Sequence, residues 1–97
     1  MPAYIIVDVA IKDPEKYEAY KKLTPGTLRK FQGKFAARGG KTVSLEGGWE
    51  PGRIVILEFP TMNLATAWWN SEEYAPAKKL RQEASHTRMI AVEGFTP

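Results

Sequence analysis

The chain predicts an α+β sandwich, with one four-stranded antiparallel sheet and two helical regions on one of its faces, in the order β-α-β-β-α-β. Three observations predict it. Two runs, Tyr4–Ile11 and Arg53–Phe59, are dominated by β-branched and aliphatic residues without a breaker. Two other stretches place apolar residues at helical spacing, one opened by Asp13-Pro14 and the other following Pro60-Thr61. The segment Lys41–Phe59 reads as a hairpin on which both halves pack.

In chain order, the first strand is Tyr4–Ile11. Ile5, Val7, Val9 and Ile11 share one face; Tyr4, Ile6, Asp8 and Ala10 share the other. Both faces are largely apolar, as expected of a strand covered on both sides. Asp13 is the expected N-cap and Pro14 the first helical position. Tyr17, Tyr20 and Leu23 then fall along one side of the helix. Thr24-Pro25 is expected to interrupt it, because a residue before proline resists helical dihedrals. Leu28 and Phe31 continue the stripe in a second segment that Gly33 would stop in the left-handed region.

Lys34–Ala37 opens a second strand, expected to bulge at Arg38-Gly39-Gly40 and to resume over Thr42–Glu46. Gly47, Gly48, Pro51 and Gly52 suit the turn before Arg53–Phe59. Leu64, Ala65, Trp68 and Trp69 form the apolar side of the next helix, which Asn70-Ser71 breaks. Pro76 begins a further helix with Ala77, Leu80 and Ala84 inward, ending at His86-Thr87 before a last strand over Arg88–Phe95.

This order is the split pattern of ferredoxin-like folds, with the first and third strands central and both helical regions on one face. The opposite face then shows Tyr4, Ile6, Ala10, Ile54, Ile56, Met89 and Ala91 on strict alternation. An apolar face of that size calls for a cover. The expected partner is a second copy, sheet against sheet, in a homodimer.

With 97 residues there is room for one core, so residues 1–97 are expected to form a single domain. No stretch approaches the ~18 apolar residues of a membrane span, and the N-terminus lacks a signal-peptide pattern. Without cysteine there is no disulfide, thiol nucleophile or thiolate metal site. A cytoplasmic location without a membrane partner is the default expectation. The net charge of +3 is spread over Lys21-Lys22, Arg29-Lys30 and Lys78-Lys79, interleaved with glutamates, so no nucleic-acid partner is expected. A sheet-face RNA binder needs exposed aromatics for stacking, and strand three offers Ile54, Ile56 and Glu58 instead.

No metal site or cofactor is expected. His86 is the single histidine, and no cluster has ligand spacing. Arg38-Gly39-Gly40 and Glu46-Gly47-Gly48 do not open helices, so turn and bulge roles outweigh phosphate binding. Asp8, Glu58 and Glu93 fall on one sheet face, either as paired carboxylates for acid–base work or as partners of cations across an interface. The most suggestive group is aromatic and basic: Tyr20, Trp69 and Tyr74 with Arg53, Arg81 and Arg88, converging between helices and sheet. Two uses fit them, the walls and anion grips of a small-molecule pocket or the filling of an ordinary core. The candidate acid or base is His86 or Asp8. His86 also suits a helix C-terminus, as a partner of its dipole. A non-catalytic dimeric interaction module is the alternative to a small cofactor-free enzyme or binder of an aromatic or carboxylated metabolite.

One set of residues is more specific than any of these. It comprises Tyr4, Asp13-Pro14-Glu15 with Tyr17 and Tyr20, Phe31 with Gly33, and Arg38-Gly39-Gly40. It continues through LEGGWEPGRIVILEFP from Leu45 to Pro60, Ala67-Trp68, Ser71 with Glu73-Tyr74, Arg81 and Val92-Glu93-Gly94. Together they resemble the domain-of-unknown-function family 1330 of the dimeric α/β-barrel superfamily, along nearly the whole chain, with a small departure around Gln32-Gly33-Lys34. The resemblance implies the ferredoxin-like fold and a dimer, and no established activity. Superfamily cousins include cofactor-free monooxygenases acting on aromatic polyketides and haem-degrading enzymes, an analogy of fold.

Overall fold

The computed structural model describes residues 1–97. Strand β1 (Ala3–Ile11) pairs antiparallel with both β3 (Arg53–Phe59) and β4 (Ser85–Glu93), and β2 (Lys34–Arg38) closes the other edge, giving the order β2-β3-β1-β4. Helices α1 (Pro14–Leu28), α2 (Met62–Trp69) and α3 (Ala75–Ala84) cover one face. The molecule measures 35 × 32 × 16 Å; its short axis is one sheet plus one helical layer, so the second sheet face is bare.

Register decides which side chains enter the core. Ile5 faces Leu57 and Ala91, Val7 faces Val55 and Met89, and Val9 faces Arg53 and Thr87. Cross-strand partners share a face, so all of these point toward the helices. Phe59, Trp68 and Tyr74 are fully buried there, the Trp68 and Tyr74 rings 4.0 Å apart. The bare face carries Tyr4, Ile6, Asp8, Ala10, Ile54, Ile56 and Glu58, together with His86, Arg88, Ile90 and Val92. The alternation expected for the last strand is therefore one residue off: Met89 and Ala91 belong with the helix face, Ile90 and Val92 with the other.

Four further expectations are corrected. Helix α1 runs straight through Thr24-Pro25. Tyr17, Tyr20, Thr24 and Leu28 form one buried stripe, and packing of that stripe outweighs the local cost of the proline. Pro25 has no N–H for the Lys21 carbonyl, and the Arg38 guanidinium supplies the missing donor at 2.9 Å. The left-handed stop is Gln32 (φ 60°), not Gly33. Gly33 is needed for space, since a Cβ there would lie 2.6 Å from the Phe59 ring.

The third correction concerns the hairpin. The partner of β3 is Lys34–Arg38, and Thr42–Glu46 forms no strand. The bulge falls between Phe35 and Ala37 rather than at the glycines, and residues 39–52 form an exposed arm beside the bare face. Finally, α3 ends at Ala84 and β4 starts at once with an extended Ser85, so His86 lies on a strand and not at a helix terminus.

Candidate functional site

The bulge in β2 positions the first functional side chain. Phe35 faces Leu57 and Arg38 faces Val55; three residues of β2 span what two span in β3, so Arg38 joins Phe35 on the helix side. Arg53 reaches the same side by plain alternation with Val55 and Leu57. From α1, Tyr17, Tyr20, Lys21 and Thr24 project toward the sheet, and Arg81 comes from α3. Together with Val7, Val9, Trp68 and Met89 they enclose a cleft with a void of about 20 Å³. Half-buried Lys21 and exposed Arg38 form its rim.

Inside, a short polar chain runs from α1 to α3. The Tyr20 and Tyr74 hydroxyls are 2.8 Å apart, and Arg81 Nε donates to the Tyr74 hydroxyl at 3.3 Å. Burial pushes the Tyr20 phenol well above its ordinary value, and the adjacent Tyr74 adds to the shift. Burial raises Tyr17 as well, against the pull of the Arg53 charge. Both phenols are therefore neutral donors near neutral pH. The Arg53 guanidinium lies 5.6 Å over the Tyr17 ring, and its buried Nε makes no hydrogen bond. Its far side is kept open by Gly39, where a Cβ would meet Nη1 at 2.6 Å; that glycine also sits at φ 69°, so a side chain there is excluded twice over.

The structure brings together three of the residues singled out from sequence, Tyr20, Arg53 and Arg81, and places Tyr74 directly behind them in the core. It does not bring Trp69, which lies on the far side of α2, 38% exposed, with Lys78 Nζ 3.7 Å above its ring. Arg88, Asp8 and His86 lie on the bare sheet face. There Asp8 accepts from the Gly52 amide at 2.9 Å and from Arg88 at 3.1 Å, anchoring the end of the exposed arm. His86 stands next to this pair in an open groove with Glu50 and Thr87, without a hydrogen bond. The three-carboxylate grouping does not assemble. Glu58 lies opposite Tyr4, roughly 13 Å along the strand direction from Asp8's level, and pairs with Lys34 at 3.6 Å. Glu93 faces Ala3 and so has the opposite orientation.

Sequence reasoning missed Tyr17, Lys21, Thr24 and Arg38 as cleft residues. The spacing of Tyr17, Tyr20 and Thr24 carried a signal, since all three fall on one helical stripe. Arg38 carried none, because strict alternation from Phe35 turns it to the other face.

A four-stranded sheet in this order, with helices on one face and a polar-centred cleft beneath them, defines a ferredoxin-like α+β sandwich. The chain belongs to the family described as "Domain of unknown function (DUF1330)", whose model matches residues 2–95. Among solved structures it is similar to a protein of unknown function from Rhodopseudomonas palustris, with 21% identity and a TM-score of 0.77 over 99% of this chain and 84% of that one. A dimeric ferredoxin-like protein of unknown function from Jannaschia sp. CCS1 shares 10% identity, with a TM-score of 0.73 over 97% of this chain and 100% of that one. SnoaB, a cofactor-independent oxygenase from Streptomyces nogalater, shares 10% identity, with a TM-score of 0.69 over 99% of this chain and 95% of that one. At these identities the likeness is one of fold. No curated protein matches the chain in sequence. No helix is long and apolar enough to cross a membrane.

Proposed function

We propose that the protein is a cytoplasmic, single-domain homodimer in which each subunit binds a small aromatic or carboxylated metabolite in the cleft beneath α1 and α3. The observation that carries this reading is the buried, unpartnered Arg53 Nε at the wall of a void lined by apolar side chains and tyrosine hydroxyls. Unsatisfied buried donors are rare in folded proteins, and one on a residue that lines a void is available to a ligand atom. Tyr20, Arg53 and Arg81 hold the ligand, and Tyr74 orients Tyr20. Trp69, Arg88, His86 and Asp8 take no part in the cleft. Cofactor-free chemistry is the reaction type to test first, since SnoaB combines this fold with cofactor-independent oxygenation.

The homodimer rests on the bare sheet face. Ile6, Ile54 and Ile56 floor a groove of about 590 Å³ whose far wall is the arm residues Val43, Leu45 and Trp49. Leu45 is 92% exposed and Ile90 64%. A second copy packed sheet against sheet buries both the floor and the arm. Dimeric ferredoxin-like proteins among the structural neighbours support the arrangement.

A thermal-shift screen against small aromatic and carboxylated metabolites tests the pocket. Stabilisation of the wild-type protein that disappears in Arg53→Ala is the expected result. A panel in which no compound raises the melting temperature contradicts the reading.

A further inference from the structure

The cleft is cationic, and of its four cations only the rim lysine is paired with a carboxylate. Its lining includes Lys21, Arg38, Arg53 and Arg81 but no aspartate or glutamate. Glu18 pairs with Lys21 at 2.6 Å. The remaining ion pairs of the fold occupy Lys16, Lys30, Lys34 and Arg88, leaving the three arginines of the cleft without a carboxylate. Arg81 is the extreme case. It is 5% exposed, and its guanidinium makes a single hydrogen bond, to a phenol. Arginine is almost never buried so deeply unless paired, and it cannot escape the cost by losing its proton. Drawing most of a guanidinium out of water without a counter-charge is unfavourable, and an anion reaching its terminal nitrogens offsets the cost.

We infer that the occupant of the cleft is a small carboxylate with an apolar body, its two oxygens held by Arg53 and Arg81 as the counter-ion that the fold lacks. This rests on the small-molecule reading of the same cleft and narrows it to one chemical class. The planar fork of a guanidinium matches the planar, two-oxygen carboxylate. The void of about 20 Å³ takes one water-sized group. One oxygen of the carboxylate fits it, and the second oxygen and the body of the ligand lie toward the open rim. Val55, Met89 and Phe35 give the remainder of the ligand an apolar wall toward the rim formed by Lys21 and Arg38. The Tyr20–Tyr74–Arg81 chain ties down the Arg81 head group at Nε and leaves its terminal nitrogens without a hydrogen-bond partner in the fold.

The test is a titration of the full-length, ¹⁵N-labelled protein at fixed ionic strength, following the arginine Nε–Hε and Trp68 indole signals. Sodium benzoate, its neutral isostere benzamide and inorganic phosphate are the probes. Benzoate is expected to saturate the Arg53 and Arg81 signals at least about tenfold more tightly than benzamide, the usual worth of a charge-assisted pair out of water. Arg53→Gln, at a half-buried position that tolerates a shorter polar chain better than Arg81, is expected to bring benzoate down to the benzamide level. Arg53→Lys is expected to recover only part of the loss, because a point charge cannot engage both oxygens. If benzamide moves the same signals as tightly as benzoate, the carboxylate assignment falls and the pocket reading stands. Phosphate binding as tight as benzoate also overturns the assignment. If none of the probes perturbs the cleft signals, both readings fall together.

Discussion

Tyr20 on the first helix and Tyr74 at the start of the third share one buried hydrogen bond, hydroxyl to hydroxyl at 2.8 Å, and Tyr74 is also the acceptor for Arg81. Tyr74 is thus the middle member of the chain and Tyr20 an end. Tyr74→Phe strands both the Tyr20 hydroxyl and Arg81 Nε, whereas Tyr20→Phe leaves the Tyr74–Arg81 contact in place. Tyr74→Phe is expected to cost about 1–3 kcal/mol, Tyr20→Phe clearly less, and the double variant less than the sum. Urea denaturation of the three variants followed by tryptophan fluorescence checks the ordering; equal costs for the two single changes would sink it.

Tyr20 and its neighbour Tyr17 set an alkaline limit. Tyr17 and Tyr20 are held protonated in the fold above their ordinary value of 10.0, chiefly by burial. Below that value the folded and unfolded chains carry the same phenol protons, and these groups add no pH dependence. Above it the unfolded chain releases protons that the folded chain keeps, so unfolding free energy falls as pH rises toward the folded-state values. The urea midpoint is expected to drop between about pH 9 and pH 11, and to drop less steeply in Tyr20→Phe, which lacks one of the phenols. A midpoint flat across that range contradicts the burial of both hydroxyls.

Arg38 and Pro25 are coupled through a carbonyl that belongs to neither. Pro25 cannot donate to Lys21 O, and Arg38 Nη2 does so from the sheet edge at 2.9 Å. In a Pro25→Ala background the helix supplies its own donor. Arg38→Ala is expected to cost about 1 kcal/mol in the wild type and less in Pro25→Ala. A double-mutant cycle with no interaction energy would show that the bond contributes nothing.

How far the sequence went follows from these same residues. Strand β1, the capped start of α1, strand β3 and the two later helices were legible, because each rests on a strong local signal: alternation, Asp-Pro capping or helical spacing. Arg53 was legible as a cleft residue since it keeps step with Val55 and Leu57. Arg38 was not, because nothing in Lys34–Arg38 marks the extra residue that turns its side chain to the helix face. Thr42–Glu46 has strand-like alternation, yet the place beside β3 is taken by Lys34–Arg38, a tertiary choice invisible to local pattern. The last strand slipped by one residue, which exchanged Met89 with Ile90 and spread the expected aromatic–arginine group over both sheet faces.

Asp8 offers a separate test on the bare face. Its Oδ1 accepts from Gly52 N and its Oδ2 from Arg88, tying the exposed arm to the central strand. Asp8→Asn retains an acceptor for Gly52 and loses the charge for Arg88; Asp8→Ala loses both. Amide exchange at Gly52 is expected to stay near wild type in Asp8→Asn and to speed up about tenfold or more in Asp8→Ala, matching the loss of one hydrogen bond to a charged acceptor. Equal acceleration in the two variants would assign the anchoring to the ion pair instead.

The most direct test of the whole account is native mass spectrometry of the protein purified from its own host. It reads subunit number and retained ligand in one spectrum. The account predicts a mass of two chains carrying a small acidic adduct on each, released when Arg53 is replaced by glutamine. A single-chain mass without an adduct would contradict both the cover assigned to the bare sheet face and the ligand assigned to the cleft.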